Sequence, residues 1–378
     1  MTLREKIEQE IRTRGPIPFS RYMEMCLYDS ELGYYSRTAE QFGKAGDFYT
    51  SSDVHAVFGR LLARQFEEMW RVLGSPERLV LLELGPGRGL FAQDVLDWSE
   101  KKFPEFFRAL HYALAESSPA LRQRIQKKLT RHFETGRASL RPPDVIRIGE
   151  IESLSGPVIV FANEFFDALP VEVVSPEGEL RIDAHNGRFM ETWAPTSVEE
   201  LEFLDRYGIH PEDMERIEVP LLAQQYMARV ASSFERGFVL AIDYGYTREE
   251  QLAGRHRGTV AAFRQHSMSA DPYQAPSEQD ITAHVNFTAL AAATEQGGMQ
   301  AHKLLTQSQF LMGIGQATEF ADAFEECRLP QERAKVALQL KHLVTPAGMG
   351  ESFHGLLASK KVDAQKVTEL SGMAFAKS

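Results

Sequence analysis

Leu79-Val80-Leu81-Leu82-Glu83-Leu84-Gly85-Pro86-Gly87-Arg88-Gly89 is the stretch whose geometry decides the fold. An almost wholly apolar run ends on an acidic residue and enters three alternate glycines, after which Leu90 to Trp98 has amphipathic helical spacing. That order predicts a buried strand, a tight turn and a helix. Glycines at such a turn let backbone come close to a ligand, and the helix start offers unpaired N–H groups and the positive end of its dipole. Gly85, Gly87 and Gly89 are therefore candidate contacts in a nucleotide or cofactor loop, with a purely structural turn as the alternative these residues leave open. The dinucleotide fingerprint wants its third Gly or Ala after two intervening residues, whereas Gly89 follows Gly87 after one and Leu90 fills the next place.

Outward from this turn, short apolar runs alternate with longer helical patterns. Leu79 to Leu84, His111 to Ala115, Val145 to Ile148, Val158 to Ala162 and Phe238 to Ile242 are predicted strands, and Leu90 to Trp98 and Ala120 to Phe133 are among the helices between them. The alternation is the βαβ signature of an α/β fold with a mostly parallel sheet. Leu3 to about Leu73 reads as helical and broken by glycine-rich turns, with Phe66, Met69 and Trp70 on one core-facing stripe. Val171 to Trp193 differs: apolar alternation with turns at Pro176-Glu177-Gly178 and Asn186-Gly187 predicts antiparallel strands. The expected organisation is a helical segment over 1–75, a core over 76–194, a polar helical insertion over 195–234, and a second core part over 235–378 that ends mainly in helix.

Composition narrows the class. The chain has 378 residues, 43% of them apolar and 25% charged, which fits a soluble, core-forming protein of one elaborated domain or two. Its net charge of −11 leaves no general positive field for a nucleic-acid backbone and suits a basic or cationic partner better. Cys26 and Cys327 cannot build a disulfide framework or a Cys-rich zinc site, and a reducing compartment is expected. Met1 to Ile11 resembles neither a secretory signal nor a transit peptide, and no apolar run nears the roughly 18 residues of a membrane span. A cytoplasmic location without membrane insertion is the expectation. The histidines are scattered without metal-ligand spacing, so no metal site is expected. No Gly-x-Ser-x-Gly elbow appears, and no Lys-Ser or Lys-Thr follows the glycines, which disfavours esterase and P-loop chemistry.

Ligand sites of open α/β sheets lie outside the carboxyl ends of the strands. The second predicted strand ends at Glu116-Ser117-Ser118, where a carboxylate can accept both hydroxyl hydrogens of a ribose; a solvated loop Glu is the alternative. The fourth ends in Asn163-Glu164-Phe165-Phe166-Asp167. Asn163, Glu164 and Asp167 among aromatics suit a cationic acceptor, a guanidinium most readily, because planar bidentate pairing selects Arg. A helix cap with a surface Asp is the alternative there. Asp243 ends the fifth strand and is either a helper at the same edge or a turn-former before Gly245.

Glu83 with the alternate glycines resembles motif I of the S-adenosylmethionine-dependent methyltransferases, in which the acidic residue and the glycine backbone hold the cofactor. A wider resemblance, to the MidA-type methyltransferase family, rests on an ordered set of segments. They include Gly15-Pro16-Ile17-Pro18-Phe19, Gly33-Tyr34-Tyr35, Gly46-Asp47-Phe48-Tyr49-Thr50-Ser51, Glu83 to Gly89, Asn163 to Pro170, Ile242-Asp243-Tyr244-Gly245 and Asp280-Ile281-Thr282-Ala283-His284-Val285. The resemblance implies a Rossmann-like class I methyltransferase sheet, mostly parallel with an antiparallel edge, with an N-terminal helical cap and a helical insertion. It implies S-adenosyl-L-methionine as cofactor, held by Glu83, Gly85, Gly87, Gly89, Glu116 and Ser117, with Gly46, Asp47, Phe48 and Thr50 reaching it from the cap. Without it, Gly46-Asp47 reads as a turn before a helix N-cap at Ser51 or Ser52. The chain departs from the family at Ser277 and Asn286, where a Gly and an Asp are usual.

The family includes an arginine methyltransferase of complex I assembly, so the resemblance implies methylation of arginine on a protein partner. Asn163, Glu164 and Asp167 would hold the guanidinium, with Asp243 helping. Two other readings stand beside this one: a methyltransferase acting on a small molecule or another side chain, and a non-catalytic assembly factor that retains a cofactor pocket.

Overall fold

Every residue of the first predicted strand, Leu79–Leu84 (β1), is buried in the computed structural model. Burial on both faces is why this strand reads as a continuous apolar run rather than an alternation. The structure describes residues 1–36, 56–141, 156–264, 267–269 and 271–377, which fall into two compact units.

The larger unit comprises Tyr49–Phe165, Ala228–Tyr244 and Ala291–Ser378. Its sheet is built on β1, Leu110–Ala115 (β2), Ala138–Arg141 (β3), Val158–Asn163 (β4), Gly237–Tyr246 (β5) and Phe353–Lys360 (β6), in the order β6-β5-β4-β1-β2-β3. The first five run parallel, and β6 pairs antiparallel with β5. The strand order reverses between β1 and β4, which is the topological switch point where open α/β sheets bind ligands. Ala56–Val72 (α1) and Leu90–Lys102 (α2) bury one stripe each in the same core. Phe66, Met69 and Trp70 are buried there as expected, and Phe91 stacks on Phe161 of β4 with ring centroids 4.5 Å apart. The expected strand at Val145 to Ile148 lies outside the described residues. On the side of β2 away from β1 the partner among the described residues is β3, which the sequence reading did not identify. Nor did that reading locate β6 in a tail expected to be mainly helical.

The smaller unit comprises Met1–Phe48, Phe166–Met227 and Gly245–Leu290. The antiparallel strands expected after Val171 are Glu172–Ser175, Gly178–His185 and Arg188–Ala194. Asn186 and Gly187 close the second hairpin with φ of 51° and 74°, the left-handed pair that a two-residue hairpin turn needs. The polar stretch after 195 holds helices Val198–Tyr207 and Leu221–Ser232. It also holds a short strand, Ile217–Val219, paired with Glu172–Ser175. Helices Leu3–Arg14 and Phe19–Tyr28 pack their apolar faces into a core with Val171, Val173, Leu180 and Ile182. The first helix opens on a capping box between Thr2 and Glu5. Asn286 caps helix Phe287–Gln296 through its Oδ1, which accepts the Ala289 N–H at 3.0 Å, and donates Nδ2 to the Tyr207 carbonyl at 2.9 Å. An Asp would serve the first contact but not the second, so the departure at 286 has a structural use. No helix among the described residues is long and apolar enough to cross a membrane.

Candidate active site

In the larger unit the carboxyl ends of β1, β2, β4 and β5 carry the residues singled out from sequence. After β1 the chain turns through Gly85, Gly87 and Gly89 with φ of 64°, 52° and 75°, each in the left-handed region that side-chain-bearing residues avoid. The three glycines differ in their surroundings. A Cβ at Gly85 would meet the Phe165 ring at 2.8 Å and one at Gly89 would meet Ile125 at 3.3 Å, whereas nothing among the described residues stands within 4 Å at Gly87. Among the described residues the backbone there has room in front of it, as ligand contact requires. Gly89 is the N-cap of α2 and supplies no side chain to its first N–H groups.

Beside this turn lie two buried carboxyl groups. Glu83 accepts the Tyr112 hydroxyl hydrogen at 2.8 Å. Burial pushes it up to about 8; the Tyr112 hydrogen bond opposes this and the charge of Glu116 adds to it. Glu116 accepts the Ser118 N–H at 2.8 Å, and the Ser117 and Gly87 N–H groups also favour its charged form. Burial still outweighs them and raises Glu116 to about 7. Ser117 is itself exposed and contributes its backbone, while Ser118 caps helix Pro119–Lys128. The Gly87 N–H aimed at Glu116 links the turn to the end of β2. A ligand bringing hydroxyl hydrogens and positive charge would favour the charged form of both carboxyls.

At the end of β4, Asn163 donates Nδ2 to Glu164 Oε1 at 3.1 Å, and Asn163 Oδ1 is buried with no partner among the described residues. Glu164 has φ of 49°, an unusual conformation for a residue with a side chain. Asp243 at the end of β5 is 1% exposed and accepts the Phe165 N–H at 3.1 Å. The structure thus gathers Glu83, Gly85, Gly87, Gly89, Glu116, Ser117, Asn163, Glu164 and Asp243 in one unit. Asp167 belongs to the other unit, where it is buried and its charge lies near Tyr35, whose hydroxyl donates to Asp280 at 2.9 Å. Gly46, Asp47, Phe48 and Thr50 lie outside the described residues. Sequence reasoning missed Phe165, which packs on Gly85, and Tyr112, which pairs with Glu83. The only sign of either was an aromatic residue in or next to a strand.

A family of S-adenosyl-L-methionine-dependent methyltransferases has a model that matches residues 61–305. This chain belongs to that family. Protein arginine methyltransferase NDUFAF7 of Danio rerio is 30% identical, with 92% of this chain and 84% of that protein covered. The NDUFAF7 homolog of Drosophila melanogaster is 28% identical over 93% of this chain and 83% of its own length. A solved structure from Burkholderia thailandensis, bound to S-adenosyl-homocysteine, is 29% identical with a TM-score of 0.84, covering 98% of this chain and 94% of that one. The chain is a methyltransferase, its cofactor is S-adenosyl-L-methionine, and its sheet is that of the class I enzymes. One expectation is overturned. The cytoplasmic location does not stand, because the Danio and Drosophila relatives are both named as mitochondrial.

Proposed function

We propose that this methyltransferase modifies arginine side chains of a protein partner. The observation that carries the reading is similarity over more than nine-tenths of the chain to relatives named protein arginine methyltransferase. A carboxylate at the reversal of the sheet, Glu164 beside Asn163, supports it with suitable chemistry.

The residues present fit the cofactor: left-handed glycine backbone with no described residue in front of Gly87, and two buried acceptors at Glu83 and Glu116. In the proposed arrangement Glu116 receives the ribose hydroxyl hydrogens, and the Gly85–Gly89 backbone with Glu83 holds the amino-acid end. The bound cofactor supplies an electrophilic methyl group on a positively charged sulfur and leaves as the neutral thioether. Glu164 pairs with the guanidinium, and Asn163 Oδ1, buried and without a partner among the described residues, takes a further N–H. Such pairing orients one nitrogen toward the methyl carbon and concentrates the positive charge on the paired nitrogens, which leaves the attacking nitrogen richer in electrons. The carboxylate can also receive the proton that the methylated nitrogen sheds. Alignment of two bound reactants is worth up to roughly 7–11 kcal/mol, more than a single general base supplies, so positioning is the main task of these residues.

The test is transfer of labelled methyl from S-adenosyl-L-methionine to arginine-containing proteins and peptides, beside their arginine-to-lysine counterparts and a set of metabolites. Label on arginine, absent from the lysine counterparts, is the expected result. Label only on metabolites, or on lysine equally, would overturn the reading.

A further inference from the structure

We infer that Asp243 is a positioning residue: its carboxylate clamps the backbone of Phe165 and so holds Glu164 in the left-handed conformation that presents its side chain at the end of β4. The inference rests on the proposed role of Glu164 and assigns Asp243 a task different from contact with the acceptor.

The geometry is local and closed. Glu164 N–H continues the β4–β5 ladder by donating to the Ile242 carbonyl at 3.0 Å. The chain then reverses at Glu164, φ 49°, where a glycine would be expected and a glutamate stands. Immediately beyond, Phe165 donates its N–H to Asp243 Oδ2 at 3.1 Å. The other oxygen, Oδ1, accepts the Tyr244 N–H at 2.9 Å. Both carboxylate oxygens therefore serve backbone donors, and at 1% exposure the side chain is a fixed strut. Strain at one residue persists only where neighbours over-determine it, and Asp243 with the ladder bond brackets Glu164 on both sides. The clamp has a second effect. With its N–H fixed, Phe165 lays its ring against Gly85, so close that a Cβ there would meet it at 2.8 Å. One buried aspartate thus sets both the acceptor carboxylate and the aromatic lid on the first glycine of the turn.

Clamp and charge contact make opposite demands on an amide replacement. An asparagine keeps one oxygen that can accept the Phe165 N–H, puts an NH2 in place of the oxygen that serves Tyr244, and carries no charge, while alanine removes both acceptors. Three proteins are compared, wild type, Asp243→Asn and Asp243→Ala, by hydrogen exchange over residues 161–168 and by methyl transfer to an arginine peptide. For Asp243→Ala the expected result is exchange at the Phe165 amide faster by about tenfold or more and a peptide KM raised by about tenfold, the usual scale of one lost hydrogen bond to a charged group. Asp243→Asn is expected to recover protection at the Phe165 amide to within about threefold of wild type, with methyl transfer above that of the alanine variant. Unchanged Phe165 exchange in Asp243→Ala would overturn the inference. So would an Asp243→Asn protein that keeps its protection yet is as inactive as the alanine variant, because the charge itself would then be needed. Should Asp243→Ala fail to fold, the asparagine variant alone separates the two. If the wild type methylates no arginine, the proposed function fails and the exchange comparison still decides the clamp.

Discussion

The protein holds two groups of buried or half-buried carboxylates that resemble each other in composition and differ in setting. Glu83 and Glu116 lie at the ends of β1 and β2 in the larger unit; Glu172, Glu179 and Glu200 approach one another within 4.8 Å in the smaller one. Burial raises Glu83 and Glu116 in one group and Glu172 and Glu179 in the other, Glu172 and Glu116 alike to about 7. In the smaller unit each acid serves a nearby structural partner. Ser20 donates its hydroxyl to Glu172, Arg181 pairs with Glu179, and Glu200 closes a capping box with Ser197. In the larger unit Glu83 has Tyr112 and Glu116 has the Ser118 N–H, and beside them lie left-handed glycines and an N-cap without a side chain. Burial and a raised pKa therefore do not by themselves make a site; bare backbone beside the acid does.

The largest expected effect comes from filling the bare backbone. Gly87→Val puts a branched side chain at φ 52° and into the open space before it, so S-adenosyl-homocysteine affinity in calorimetry should fall by about a hundredfold or more. Retained affinity would equate the glycine turn with any other strand-to-helix bend. Glu116→Gln comes next. It keeps the shape and loses the charge that strengthens hydroxyl contacts, worth about 1.5–3 kcal/mol, or roughly ten- to a hundredfold in affinity.

The pH dependence is smaller and separates two quantities. Glu83 and Glu116 have folded-state pKa values raised above the ordinary range, to about 8 and about 7. Their contribution to the stability of the ligand-free protein is therefore complete below their ordinary value of 4.5 and is lost as pH rises through 7 and 8. Cofactor affinity should move the other way, since only ionised Glu116 accepts both hydroxyl hydrogens, and should rise by about tenfold from pH 6 to pH 8. Melting curves and titrations at the two pH values check both signs. The smallest effect is expected in the other cluster. Glu172→Gln should leave cofactor affinity within about twofold while raising the melting temperature at pH 8 by about 2–4 °C, because an amide carries no ionisation penalty there. A large affinity loss would erase the distinction between the two groups.

What sequence could and could not disclose follows from how local each feature is. The glycine turn, the strand before it and Glu116 at the next strand end were legible because each depends on a few consecutive residues. The hairpin at Asn186-Gly187 was legible for the same reason. Ala138–Arg141 escaped because it is short and only its first residue is buried. Phe353–Lys360 escaped because a strand buried between neighbours does not alternate, and it follows a helix in an apolar tail. The Tyr112 contact to Glu83 depends on the register of two strands, and no spacing along the chain encodes it. At the end of β4 the sequence showed Asn163, Glu164 and Asp167 as one polar cluster. The left-handed Glu164 and the assignment of Asp167 to the other unit became visible only in three dimensions.

The most direct test of the account is a crystal structure of the protein grown with S-adenosyl-homocysteine. The account predicts the ribose hydroxyls within hydrogen-bond distance of Glu116, the homocysteine along Gly85 to Gly89, and the sulfur turned toward the end of β4. A nucleoside bound away from Glu116, or a turn that makes no contact with it, would contradict the account.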